Sequence, residues 1–172
     1  MANPLGDTFY YDDLQNLLMN AAKGLEGDLI NDPTGIPDPR YEVAEYTGEF
    51  DTVEAIKESL QRLFRPTAFI NIGTETAVEP DSTGKMTQDE ITVEVFCANS
   101  DPRNMYEQRR NCIALARHMR NLLQGLQIEG VSYMTSGTLA FRGHVVVVQA
   151  PDLCVYLIRF AVVAAVAVDQ PI

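Results

Sequence analysis

The sequence predicts an α+β fold: one domain over residues 1–172, built on a mainly antiparallel or mixed sheet of four to five strands, with a long helix packed on one face and extended hairpins. Three observations carry this. Apolar residues recur at helical spacing near the N-terminus and again over 102–124. Two blocks, Ala68–Ile72 and Ile91–Cys97, place apolar residues at every second position. Two long apolar runs close the chain, separated only by Ala150, Pro151 and Asp152. With 172 residues and 46% hydrophobic content, the chain has material for one well-buried core and is short for two.

The elements follow in order. From Asp12 or Asp13 onward, Leu14, Leu17, Leu18, Ala21, Ala22 and Leu25 repeat at i, i+3, i+4, i+7 and describe a helix with one apolar stripe. Its acidic start suits the helix dipole, and Gly24 or Gly27 can end it. Residues 31–40 carry Pro33, Gly35, Pro37 and Pro39 and are expected to be a loop. Tyr41, Val43 and Tyr46 alternate toward a strand ended by Gly48. Asp51 or Thr52 then caps a helix whose Val53, Ile56, Leu60, Leu63 and Phe64 share a face and which Pro66 closes.

In the next strand Ala68, Ile70 and Ile72 face one way, Phe69 and Asn71 the other. Residues 79–90 are polar and turn-rich. Beyond them Ile91, Val93, Val95 and Cys97 alternate with Thr92, Glu94 and Phe96, so the expectation is a hairpin with a long projecting loop at 79–90. Pro102 starts a helix reaching about Gln124, with Met105, Cys112, Ala116, Met119 and Leu123 on its buried side and Gly125 near its end. The runs Thr138–Gln149 and Leu153–Val168 make a second hairpin. Their length leaves two readings open: strands that protrude and invite association, or central strands buried on both faces, which the continuous Val145–Val148 also fits.

Charge narrows the function. The formal net charge is −11, and it is uneven: residues 1–60 hold 13 acids and 3 bases, the remainder 11 acids and 10 bases. Such acidity argues against a general nucleic-acid binder, which neutralises phosphates with excess Lys and Arg. It suits a lumen or surface that must not adhere to DNA. Cys97, Cys112 and Cys154 each sit in an apolar stretch and read as small buried thiols, consistent with a reducing cytoplasm. The N-terminal MANPLGDTFYYDD lacks the regions of a signal peptide, so export by that route is not expected. The apolar Phe160–Val168 falls well short of the roughly 20 residues that cross a bilayer, so no membrane association is expected.

The search for chemistry leaves no catalytic, metal or cofactor-binding residues to nominate. His118 and His144 lack Cys or carboxylate companions at ligand spacing. DSTGKMT approaches a phosphate-binding loop, but Glu79 stands where its first glycine belongs and Met86 where Ser or Thr would bind magnesium. Ser82 and Lys85 have S-x-x-K spacing without the rigid helix or the further motifs that chemistry needs. Asp28, Asp32 and Asp38 miss the alternate-residue pattern of a calcium loop and read as solvated acids.

What stands out is basic. Arg103, Arg109, Arg110, Arg117 and Arg120 hold five of the thirteen basic residues within eighteen positions, and the first, third and fourth recur every seven residues. Two readings stay open: contact with the acidic half of a neighbouring subunit or another acidic partner, or a solvated face with local pairs such as Glu107 with Arg110. With Phe141, Arg142, Val146, Val148 and Tyr156 of the second hairpin, these arginines form the expected subunit or partner interface.

The order of motifs resembles a known family. An N-terminal helix, Y-x-G-E-F at Tyr46–Phe50, a short helix, P-x-A-F at Pro66–Phe69 leading to Gly73, and V-x-V-F-C-A-N-S at Val93–Ser100 are similar to the tail terminators of Mu-like contractile-tailed phages. R-x-x-x-x-x-R-R at Arg103–Arg110, then L-L-Q-G-L at Leu122–Leu126 and two closing strands, continue the similarity over nearly the whole chain. The resemblance implies a virion protein without catalysis. Its expected form is a homo-oligomeric ring, commonly a hexamer, that caps the head-proximal end of the tail tube and ends polymerisation. It would contact the tail sheath protein and present a docking surface for the head-tail connector in the neck. It implies the tail tube protein as a partner, DNA passing through the lumen without specific binding, and assembly in the host cytoplasm. The alternatives are a neck or head-completion protein of the virion, a small-ligand enzyme or accessory domain, which would need a pocket with convergent titratable groups, and a monomeric adaptor.

Overall fold

The described residues of the computed structural model are 9–24, 41–63, 65–80, 86–101, 104–131 and 134–167. A five-stranded sheet with order β1-β2-β3-β7-β6 runs through them. Its strands are β1 (Glu42–Glu45), β2 (Thr67–Pro80), β3 (Met86–Asn99), β6 (Ala140–Ala150) and β7 (Leu153–Ala167). Helices α1 (Phe9–Lys23) and α3 (Met105–Leu123) cover one face, and α2 (Val53–Leu60) lies on the other. A small ribbon, β4 (Gln127–Ile128) with β5 (Gly137–Thr138), follows α3.

The period-two alternation of the strands builds two cores on opposite faces. Ile70, Ile72, Val93, Val95, Ile158 and Phe160 point at the helices, where Leu14, Leu18, Leu115, Met119 and Leu123 meet them. Phe69, Phe96, Val155 and Leu157 point the other way, against Phe50, Ile56, Leu60 and Leu63. β1 pairs parallel with β2 and every other pairing in the large sheet is antiparallel, so the sheet is mixed. β3 and β7 pair without a register shift from Met86↔Ala167 to Asn99↔Cys154. That uninterrupted ladder is the spine of the molecule.

Local chemistry fixes the helix ends. The Thr52 side chain accepts from Ala55 N at 3.1 Å, and Asn104 Oδ1 accepts from Glu107 N at 3.2 Å, each meeting an amide of the first turn that has no partner inside the helix. Gly125, at φ +79°, takes the chain out of α3 and donates its amide to Leu139 O at 2.8 Å. Buried Gln108 joins three segments. Its amide nitrogen donates to Ala150 O, its side-chain oxygen accepts from Asp101 N, and its backbone carbonyl accepts from Asn99. Gly137 lies so close to β7 that a Cβ there would stand 2.6 Å from Val162 Cγ2 and 2.8 Å from Val163 O, so only glycine lets the ribbon approach.

Several sequence expectations are corrected. The expected loop at 79–90 is largely strand: Pro80 pairs with Thr87 and Glu79 with Gln88, and Met86–Glu90 pair with Val163–Ala167. Polar residues persist as strand there because the β7 backbone satisfies theirs. Met105 and Val53, assigned to buried faces, are 61% and 62% exposed. Each opens its helix beyond the reach of the layer beneath it, and in α3 the buried line runs instead through Gln108, Cys112, Leu115, Met119 and Leu123. The first helix starts at Phe9, and the ribbon β4–β5 is an addition to the expected elements. The proline-rich loop 31–40, Leu25, Phe64 and Val168 lie outside the described residues.

The closing hairpin divides between its two readings. β7 is central, with Leu153–Val162 buried apart from Arg159. β6 is the sheet's edge, and it is largely exposed.

Candidate functional site

Among the described residues, the β6 edge carries the longest run of exposed large apolar side chains. Its 11 residues pair only with β7 and leave one side of the strand open among the described residues. Val145, Val146 and Val147 are 44%, 42% and 41% exposed. Val145 and Val146 lie on opposite faces of the uncovered edge, and a bulge follows them: the register passes from Val146↔Tyr156 to Val148↔Val155, so Val147 is the extra residue. Val148, by contrast, is half-buried against the α2-side core.

Between this edge and α3 runs a groove of about 350 Å³. Arg117 and Arg120 form its helical rim, Phe141 and His144 its strand rim, and Tyr156 and Ile158 its floor. The Arg120 guanidinium carbon sits 3.9 Å over the Phe141 ring and its Nε donates to Gln124 Oε1 at 3.1 Å, so this arginine is pre-oriented along the rim. Phe141 in turn meets Phe160 edge-on at 5.9 Å. Exposed Arg117 completes the positive side of the groove.

Arg109, Arg110 and Arg142 do not line the groove. Arg110 stands 3.5 Å from Glu107, the local pair of the solvated-face reading. Arg142 donates to Glu90 at 3.2 Å and so braces β6 against β3 across β7. Arg109 borders a separate, apolar recess with Met105, Tyr106, Gln149 and Cys154 at the start of α3. Tyr156 is buried under α3 at 8% exposure, and its place in an interface is limited to the groove floor. Arg103 lies outside the described residues.

Thus Arg117, Arg120, Phe141 and Tyr156 come together, with Val146 on the adjacent edge. Ile113, Ala116 and His144 also line the groove, although the sequence reading did not nominate them. Ile113, Ala116, Arg117 and Arg120 follow i, i+3, i+4, i+7, a second helical stripe beside the buried one. That spacing was the available signal.

The resemblance motifs turn out to be packing devices. In Tyr46–Phe50, Gly48 adopts φ +97°, and the Glu49 carboxylate accepts from both Thr47 N and Thr47 Oγ1. The Tyr46 ring stacks on Phe96 at 4.3 Å, its hydroxyl donates to Asp51 Oδ1 at 2.8 Å and accepts from Phe50 N at 3.1 Å. Burial first, and Asp51 second, push that hydroxyl up to about 12. In the Val93–Ser100 motif, Cys97 O accepts from the Cys112 thiol at 2.8 Å. All three cysteines are free and buried. Burial raises the thiols of Cys97 and Cys112, whereas the neighbouring Cys112 and then Arg109 hold Cys154 below its ordinary value.

Of the histidines, His118 Nε2 lies 3.3 Å from the Tyr41 hydroxyl, which donates toward the Ala22 and Lys23 carbonyls and ties the end of α1 to α3. Among the described residues no three His, Cys, Asp or Glu side chains gather as a metal site, and no helix is long and apolar enough to cross a membrane. Ser82, Lys85, Asp28, Asp32 and Asp38 lie outside the described residues.

No family model matches the chain, and no curated protein does. Among solved structures, a chain of the virion of a native gene transfer agent particle is similar over 91% of each chain, at 10% identity and a TM-score of 0.42.

Proposed function

We propose that this chain is a ring-forming structural protein of a phage-like virion and, more finely, a tail terminator that caps the head-proximal end of a tail tube. The observation that carries it is the open β6 edge with Val145–Val147 exposed beside an arginine-rimmed groove. Exposed apolar side chains along a strand edge favour contact with another chain. A contact between two different patches of identical subunits closes into a ring when its rotation allows. The motif order over Tyr46–Leu126 supports the terminator role, and the acidity of residues 1–60 suits a lumen through which DNA passes without adhering. In this role the protein works by shape and contact rather than by turnover, in the neck of the virion, after assembly in the host cytoplasm. Its partners are its own copies, the tail tube, the sheath and the head-tail connector.

Two measurements test this. Light scattering and negative-stain imaging of the purified protein, alone and with tail tubes, should show closed rings seated on tube ends. Removal of the protein should yield tails of uncontrolled length or heads without tails. Rings that bind the portal side and ignore tubes would make it a neck or head-completion protein. A protein that stays at 19.1 kDa with and without tubes would remove the ring.

A further inference from the structure

We infer that the subunit contact is head-to-tail between opposite edges of the sheet: the basic groove and β6 edge of one copy receive the acidic β1–α2 edge of the next. This rests on the ring reading and names the two surfaces that make it. β6 and β1 are the first and last strands of one continuous sheet, so the two patches face away from each other across the molecule, as a repeating contact requires. Their charges are opposite. Residues 104–150, which carry α3 and β6, hold two acids and five bases, whereas residues 41–65, which carry β1 and α2, hold six acids and three bases.

The charges nearest each edge are solvent-facing. Arg117 and Arg120 stand exposed at the groove. Glu42, Glu45, Glu54 and Glu58 stand exposed on β1 and α2 and outnumber the exposed cations beside them, Lys57 and Arg62. Each edge also offers uncovered apolar surface, Val145–Val147 on one and Val53, 62% exposed, on the other. Opposite potentials fix the pairing and steer encounter, and the apolar contact supplies affinity. A pairing of β6 with β6 would instead bring two arginine rims together, which like charges disfavour.

The test is a pair of charge reversals on the full chain. Arg117→Glu and, separately, Glu45→Lys should each weaken self-association by roughly tenfold or more while leaving the melting temperature close to wild type. Mixing the two variants should restore rings, because each mixed contact again sets a cation against a carboxylate, and the restored rings should alternate the two chains. A second readout is oxidation of the double variant Glu45→Cys with Val147→Cys. It should give a disulfide ladder that neither single variant gives, the native thiols being buried. Wild-type rings that survive both reversals unchanged, or a disulfide dimer from Val147→Cys alone, would overturn this contact and leave the ring itself standing. Wild-type protein that forms no ring would overturn both.

Discussion

Single residues in this molecule are decided by what the sheet faces. Tyr46 illustrates it: one ring closes the smaller core by stacking on Phe96, while its hydroxyl serves both Asp51 and the Phe50 amide. Its folded-state value of about 12 lies above the ordinary value of about 10. Between those two values the folded chain keeps a proton that the unfolded chain has lost, so this residue's contribution to stability falls as pH rises through that window. Tyr46→Phe should cost about 1 kcal/mol at neutral pH through the lost hydrogen bonds. Denaturant titrations at a series of alkaline pH values should show wild-type stability declining more steeply than that of Tyr46→Phe. Equal slopes would mean that the hydroxyl titrates alike in the folded and unfolded chains.

At the scale of elements, the long hairpin β2–β3 is held chiefly by its neighbour. Met86–Glu90 would be a polar loop by composition, yet each residue pairs with β7 between Val163 and Ala167. Removing residues 80–88 should therefore lower the melting temperature, because it strips β7 of partners from Ala165 to Ala167 and exposes a new strand edge. Thermal unfolding followed by circular dichroism checks this; a deletion that melts like wild type would show these pairings to be dispensable. Composition cannot reveal such a segment. A strand buried by its own side chains announces itself, but one sustained by a partner's backbone does not.

For the whole molecule, the two cores and the exposed β6 edge are different parts. Both cores are complete without β6's exposed valines, and the β6 edge adds surface that the folded monomer does not use. Val147→Lys should consequently change folding stability by no more than about 0.5 kcal/mol, as exposed substitutions do. A charge on the strand edge should nevertheless reduce self-association sharply. Sedimentation beside thermal melting separates the two effects. A parallel loss of both would place Val147 within the folded core's support and against the assembly role.

The sequence alone determined the types and order of the main elements, apart from the β4–β5 ribbon and the strand ends within 79–90, because burial imposes a period of two on strands and 3.6 on helices, and both periods are written in the apolar residues. The alternation of Ile91, Val93, Val95 and Cys97 and the stripe of Leu14, Leu18 and Ala22 are examples, and both groups are buried as that pattern requires. The arginine-bearing helix and the closing hairpin were equally legible as elements, α3 and the pair β6–β7. Only the tertiary structure decided that β7 is central and β6 the edge, since that depends on which of the two apolar runs β3 pairs with. It likewise decided which arginines meet a groove and which are taken up by Glu107 or Glu90, because those distances depend on segments far apart in the chain.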